Sequence, residues 1–366
     1  MPDAPEPKES KVEARKRSSR HLRGTIRQAL QDEASHFQES DAQLLKFHGI
    51  YQHDDRDQRR KLRDRGQDKD YRMMVRLAIP GGVVTADQYL ALDELADQYA
   101  GGALRITTRQ GFQLHGVLKR NLKSTIAAIN HQLLTTLSAC GDVERNVMAC
   151  PAPLDDEPHA LLRRIAPQIA RQLRPASRAY HEIWLDEEEV LSTQAEEPFY
   201  GATYLPRKFK TGLALDSDNC VDIYNCDCGL VALVEGGQTV GFNILIGGGL
   251  GITYGQADTT ACLAQPLGFI QPDHAVEAVR TVAAIFRDHG NRADRRHARL
   301  KYLLAEWGID RFADEFRQRV NWPLATPRPL PPTTFHDHLG RHAQGGGKWF
   351  YGVPVENGRI IDRDGV

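Results

Sequence analysis

No apolar run in the 366 residues approaches the length needed to span a bilayer, which excludes a membrane-spanning helix. The basic start MPDAPEPKESKVEARKRSSR has no apolar stretch behind it, so it does not read as a secretory signal. Neither charge is in surplus: 47 Lys plus Arg stand against 48 Asp plus Glu, for a net charge of −1. Composition therefore points to no nucleic acid and no membrane surface, and any electrostatic site has to be local. Cysteine is sparse, with six in the chain, which suits a reducing, cytoplasmic compartment rather than a disulfide framework. The cysteines also lack metal-ligand spacing. Cys220 and Cys226 are C-x5-C, but no C-x3-C follows, and Cys140, Cys150 and Cys262 stand alone. Cys220, Cys226 and Cys228 read as small core residues, and no metal ligand set is assigned. The Gly247-Gly248-Gly249 loop is not a dinucleotide fingerprint, because Ile252 occupies the sixth place where glycine is required.

What is present is a chain long enough for two or three domains. Residues 1 to about 20 have the Pro, Glu, Lys and Ser content of a mobile tail. A polar arm follows, with Leu22, Ile26, Leu44, Leu45 and Phe47 as apolar anchors, and then a solvated, doubly charged segment, DDRDQRRKLRDRGQDKD. From Tyr71 the periodicity sharpens. Met73, Val75, Leu77 and Ile79 alternate as a strand ended by Pro80-Gly81-Gly82. Thr85 to Gln88 fits a capping box, opening a helix that carries Leu92, Leu95, Ala96 and Tyr99. RITTRQGFQLHG supplies two strands bending near Gly111, with Ile106, Phe112, Leu114 and Leu118 on one parity. A second helix carries Ile126, Ile129, Leu133 and Leu137, and ERNVMAC closes as a strand. The order strand, helix, strand, strand, helix, strand is the split βαβ, ferredoxin-like pattern, so the fold class is α+β.

Beyond Cys150 a larger α/β unit is expected. ALLRRIAPQIARQL and HAVEAVRTVAAIFRDHG read as helices, while AYHEIWL, CVDIYNCDCGLVALVE and TVGFNILI read as strands. PLATPRPLPPTTF is a Pro-rich connector. After it, GKWFYGVPVENGRIID repeats the design of the first half-domain's opening strand and stops. The expected domains are 1–70 tail and arm, 71–138 first ferredoxin-like half, 139–338 α/β domain, and 339–366 the start of a truncated second half.

Three basic clusters carry the functional argument. Arg76 joins Arg105, Arg109, Gln113 and His115, the last four falling on the other parity of RITTRQGFQLHG, a stretch without one Asp or Glu. Arg145 follows the second helix. Lys208 and Lys210 share a strand face beside Arg207 in YLPRKFKTG. Arg matches carboxylates with a planar fork, and Lys is a compact charge able to give up a proton. Together they describe a site for a ligand rich in carboxylates, or for a small oxyanion.

LRGTI, FHGIYQHDDRD, IPGG, RITTRQGFQLHG, YLPRKFKTG, GFNILIGGGLG and GNRADRRHARLKY resemble, in that order, the N-terminal part of the sulfite reductase hemoproteins, within the siroheme-dependent nitrite/sulfite reductase family. The resemblance implies siroheme coupled to a [4Fe-4S] cluster, and six-electron reduction of sulfite to sulfide. It implies that Arg105, Arg109, Gln113, His115, Arg207, Gly247, Gly248 and Gly249 face siroheme. It also implies that Arg76, Arg145, Lys208 and Lys210 surround the substrate. The family's cluster cysteines, C-x5-C and C-x3-C, have no match, so they are expected beyond Val366 and this piece alone is expected to be inactive. An NADPH-using flavoprotein is the implied electron donor, with ferredoxin as the alternative. Siroheme nitrite reductase is the near rival, in which Asn tends to replace Lys210. A non-catalytic tetrapyrrole-binding fragment is the rival from another class.

Overall fold

The computed structural model describes residues 9–188, 196–332 and 334–362. The chain divides into two compact units, Met1–Arg17 with Asp142–Arg174 and Thr203–Val353, and Ser18–Gly141 with Pro175–Ala202 and Pro354–Val366. Each is assembled from three separate stretches of sequence.

The second of these is built on a five-stranded antiparallel sheet. Its order is Ile50–Asp54, Tyr71–Arg76, Phe112–Val117, Ala103–Ile106, Arg359–Ile361. The helix Ala86–Tyr99 starts at the expected capping box: Thr85 Oγ1 accepts from the Gln88 backbone at 3.2 Å, and the Gln88 side chain accepts from the Thr85 N–H at 3.0 Å. Leu92, Leu95 and Ala96 face inward from it, and Tyr89 meets Phe112 of the sheet. The arm's anchors Leu22, Ile26, Leu44, Leu45 and Phe47 are all buried.

Four expectations are corrected here. ERNVMAC contributes only Met148–Ala149, and that strand joins the other unit's sheet; the ferredoxin-like sheet takes Ile50–Asp54 and Arg359–Ile361 instead. Of the expected apolar parity Phe112 and Leu114 are buried, but Ile106 at the strand's end is 39 % exposed, and Gly116 (φ +90°) forms a bulge, so Val117 rather than Leu118 returns to the core. The second helix ends at His131, leaving Leu133 left-handed (φ +58°) and 93 % exposed. AYHEIWL forms the helix Ala179–Trp184, in which Tyr180, Ile183 and Trp184 fall on one buried face at helical spacing despite their strand propensity.

The other unit carries the sheet order Met148–Ala149, Thr211–Leu215, Cys228–Glu235, Gln238–Ile246, Gln265–Ile270, parallel over the first three strands and antiparallel after. Thr211–Leu215 is buried throughout and Cys228–Glu235 nearly so, the mark of strands covered on both faces. The helices Glu157–Gln172, Ala275–His289 and Leu300–Arg319 pack on these strands and on one another. After the connector, Gly340–Gly345 and Lys348–Gly352 form a hairpin.

The expected tail is a correction as well. Residues 1–8 lie outside the described ones, but Lys11–Ser18 is a helix with Glu13 and Lys16 buried. Lys16 Nζ donates to the Leu205 carbonyl at 2.9 Å, pairs with Glu13, and lies 3.6 Å from Asp142, while Glu13 accepts from Arg292 at 2.6 Å. Composition signalled mobility because the partners that satisfy these charges lie far along the chain.

Candidate functional site

In the α/β unit the lysine motif is positioned by a short parallel pairing. Arg145 N–H donates to the Phe209 carbonyl at 2.9 Å, and Phe209 N–H donates to Val143 at 3.1 Å. Phe209 is fully buried, so its neighbours Lys208 and Lys210 turn the other way. Charge coupling follows. The Lys208 ammonium is pushed down to about 8, chiefly by burial, then by Arg299, Arg145, Arg207 and Lys210. Arg207 is likewise lowered, first by burial and then by Arg295. The structure thus brings Arg145, Arg207, Lys208 and Lys210 together.

It adds four cations that the sequence reading did not assign. A cavity of about 380 Å³ is lined by Arg207, Lys208, Arg295, Arg296, Arg299 and Lys301, with Tyr302 beside them. Buried carboxylates aim two of these. Asp142 accepts a two-nitrogen clasp from Arg295 at 2.8 and 2.9 Å. Asp227, wholly buried, accepts from Arg299 at 2.8 and 2.9 Å and from the Lys210 N–H at 3.0 Å. The available signal was the run RRHARLK, which the motif GNRADRRHARLKY contains.

The glycine loop sits against the same cations. Gly247 has φ +83°, and a Cβ at Gly248 would lie 2.3 Å from the Tyr224 carbonyl, so both positions require glycine. Lys301 Nζ fastens the loop, donating to the carbonyls of Gly249 at 3.1 Å and Gly251 at 2.9 Å, and to that of Thr260.

In the ferredoxin-like unit the polar parity forms a row across the strands. Arg76 is register partner of Gln113, Gln113 of Arg105, and Arg105 of Arg359. Arg359 is a further residue the sequence reading missed, because its strand is contributed from the far end of the chain. With its amide oxygen toward Arg76, Gln113 accepts from that guanidinium at 2.5 and 2.8 Å and donates to His115 Nε2 at 3.0 Å. The His115 imidazolium is disfavoured to a pKa of about 4, by burial first and then by Arg105, His53 and Arg76, so the ring is neutral at pH 7. Arg76 also donates to Cys140 Sγ at 3.2 Å. Arg109 does not join the row. It sits in the turn Thr107–Gly111, whose Gln110 has φ +53°.

Family models match two stretches of the chain: a nitrite and sulphite reductase 4Fe-4S domain over residues 168–324, and a nitrite/sulfite reductase ferredoxin-like half domain over 65–132. The similarity to curated proteins extends over almost all of it, at 46 % identity with a sulfite reductase [ferredoxin] of Synechococcus elongatus, covering 99 % of this chain and 60 % of that protein. This chain belongs to the nitrite and sulfite reductase family. A sulfite reductase [NADPH] hemoprotein beta-component of Geobacillus kaustophilus is 45 % identical, over 99 % of this chain and 64 % of its own length. The chain therefore spans about three-fifths of the length of the curated relatives it matches. The Mycobacterium tuberculosis NirA structure shares the fold, at TM-score 0.75 and 22 % identity, over 96 % of this chain and 61 % of that one.

Siroheme and a [4Fe-4S] cluster are the cofactors that go with this membership. The first fits the donor set: six cations converge on one cavity, with room for carboxylate arms rather than a whole macrocycle. The second does not fit the cysteines present. All six are described and free, and the one ligand-rich group among the described residues holds two cysteines with an aspartate and a histidine.

Among the described residues no helix is long and apolar enough to cross a membrane.

Proposed function

We propose that this chain supplies the anion-binding half of a sulfite reductase, which reduces sulfite to sulfide with six electrons while the substrate oxygens leave as water. The observation that carries the reading is the lysine-arginine cavity around Lys208, whose ammonium titrates at about 8. In the α/β unit Arg145, Lys208 and Lys210 neutralise the oxyanion, and Arg207 with the Gly247–Gly249 loop receives cofactor carboxylates. In the ferredoxin-like unit Arg76 adds to the substrate's cations, and Arg105, Arg109, Gln113 and His115 face the cofactor. Siroheme, when bound, supplies the iron and the path for electrons.

The chain's own part in the proton chemistry falls to Lys208. Protonated at neutral pH yet close to its titration point, its Nζ can hand a proton to a departing oxygen and regain one from solvent. Lys210 in RKFK supports sulfite over nitrite as the substrate. The names of the relatives include both ferredoxin-linked and NADPH-linked enzymes. An NADPH-using flavoprotein is the proposed donor, ferredoxin the alternative, and the cytoplasm the proposed location.

Siroheme titration of the chain tests the binding half of this reading: a saturable Soret shift is expected, weakened by Lys301→Ala. Sulfite and nitrite turnover in the full-length protein tests the rest. A preference for nitrite overturns the substrate assignment. Siroheme binding without reduction of either anion favours a non-catalytic module.

A further inference from the structure

Four ligand-capable side chains meet within the α/β unit, in a place that the proposed reaction does not use. The strands Met148–Ala149 and Thr211–Leu215 are parallel neighbours, so the residues that follow them emerge at the same sheet edge. Cys150 leaves the first strand there. Asp218 and Cys220 lie in the loop after the second, where Asp218 bridges back to Leu215. The fourth group arrives from beyond the Pro-rich connector. Asn219 N–H donates to the Thr334 carbonyl at 2.9 Å and His336 N–H donates to Asp218 Oδ1 at 3.0 Å, bringing His338 alongside.

The ligand atoms of Cys150, Asp218, Cys220 and His338 all lie within 4.8 Å of one another. Cys150 Sγ is 3.4 Å from His338 Nε2 and 4.0 Å from Asp218 Oδ2, and His338 Nε2 is 2.9 Å from Asp218 Oδ2. Zinc bonded to sulfur at about 2.3 Å and to nitrogen or oxygen at about 2.0 to 2.2 Å holds tetrahedral ligand atoms about 3.3 to 3.8 Å apart. Cys150 and His338 already stand at that spacing, and the other ligand atoms lie within about 1 Å of it, a small adjustment for side chains at the end of two loops. Cys150 and Asp218 are buried and Cys220 and His338 half-buried, so the group is enclosed with one side open. His159 is coupled electrostatically to Cys150, and its own Nδ1 is held by Asp156 at 2.8 Å, an outer support of the kind that orients metal ligands.

We propose that Cys150, Asp218, Cys220 and His338 form a tetrahedral site for a zinc-class divalent cation, separate from siroheme and from the iron-sulfur cluster. Two thiolates, one carboxylate and a neutral imidazole complement a dication, and the thiol protons pass to solvent as the metal enters. The site ties the end of the connector to the parallel sheet edge, so its role is structural.

Cobalt titration of the reduced, chelator-treated chain provides the test. One equivalent per chain is expected, with the intense visible bands of tetrahedral cobalt and thiolate-to-metal charge transfer, both displaced by zinc. Cys220→Ser and His338→Ala, at less buried positions than Cys150, each weaken binding at least about 10-fold. Cys262→Ser leaves the spectrum unchanged. Circular dichroism of every variant establishes that it is folded. Pale octahedral spectra, or equal affinity in Cys220→Ser and the parent, would overturn the site. So would a chain that takes no metal, with or without an oxidised Cys150–Cys220 disulfide seen by mass spectrometry.

Discussion

The two cationic regions are held in opposite ways. Across the antiparallel sheet, Arg76, Arg105 and Arg359 are aligned by backbone register, and the polar groups between them, Gln113 and His115, are neutral. In the α/β unit the cations come from loops and short segments, and buried carboxylates aim Arg295 and Arg299. A strand can present charges with no counter-ion, since the ladder fixes their direction. In the loops Asp142 and Asp227 fix the direction of Arg295 and Arg299, at the cost of cancelling part of the field. Lys208, with Arg299, Arg145, Arg207 and Lys210 around it, has its ammonium pKa lowered to about 8, chiefly by burial and then by these cations.

The largest way to break this contrast is Asp227→Ala. It leaves Arg299 without its clasp and the Lys210 N–H without its acceptor, and a loss of about 3 to 5 kcal/mol is expected in chemical denaturation. No single change in the strand row should approach that. Next comes the loss of stability as pH falls below 6.5, to which the buried histidine of the ferredoxin-like unit contributes. His48 is buried, donates from Nε2 to the Leu22 carbonyl and accepts from Trp184 at Nδ1, and its pKa is lowered to about 4, mainly by burial. The unfolded chain binds this proton near pH 6.5. Its contribution is therefore complete above that pH and lost as pH falls toward 4, on the order of 3 kcal/mol. Denaturant midpoints across that range should show the slope, and His48→Gln should reduce it, leaving the part that His115 supplies.

Lys208 should behave with the opposite sign to an ion-paired lysine. Folded it releases its proton near 8, unfolded near 10.5, so between those values the unfolded chain holds more protons and stability rises with pH. Lys208→Met should accordingly raise the melting temperature below pH 8, and the gain should fade toward pH 10.5. A uniform gain would mean that packing rather than charge is responsible. Smaller still, Thr85→Ala removes the capping box and should cost about 1 kcal/mol. Smallest is Leu133→Asn, expected to stay within about 0.5 kcal/mol, whereas a leucine on a buried helix face would cost several times more.

Where local rules operate, the sequence was legible. The capping box, the inward Phe112 and Leu114, and the inward Phe209 between outward lysines all follow from period and chemistry within a few residues. Strand propensity failed at Tyr180–Trp184 because burial on a helical face outweighed it. Composition failed at Glu13 and Lys16 because Asp142, Leu205 and Arg292 are distant in sequence. The same distance hid Arg359 in the strand row and separated Cys150 from Cys220 and His338. Spacing reveals ligands only when one segment supplies them.

The outermost strand of the antiparallel sheet, Arg359–Ile361, has a consequence for biosynthesis. Its neighbour Ala103–Ile106 is translated more than two hundred residues earlier, and keeps unpaired backbone groups on that edge until the ribosome has passed Ile361 and released it. The nascent chain must therefore carry an open β-edge through the more than two hundred residues made between the two strands, a setting in which chaperone binding and misassembly compete with the final pairing.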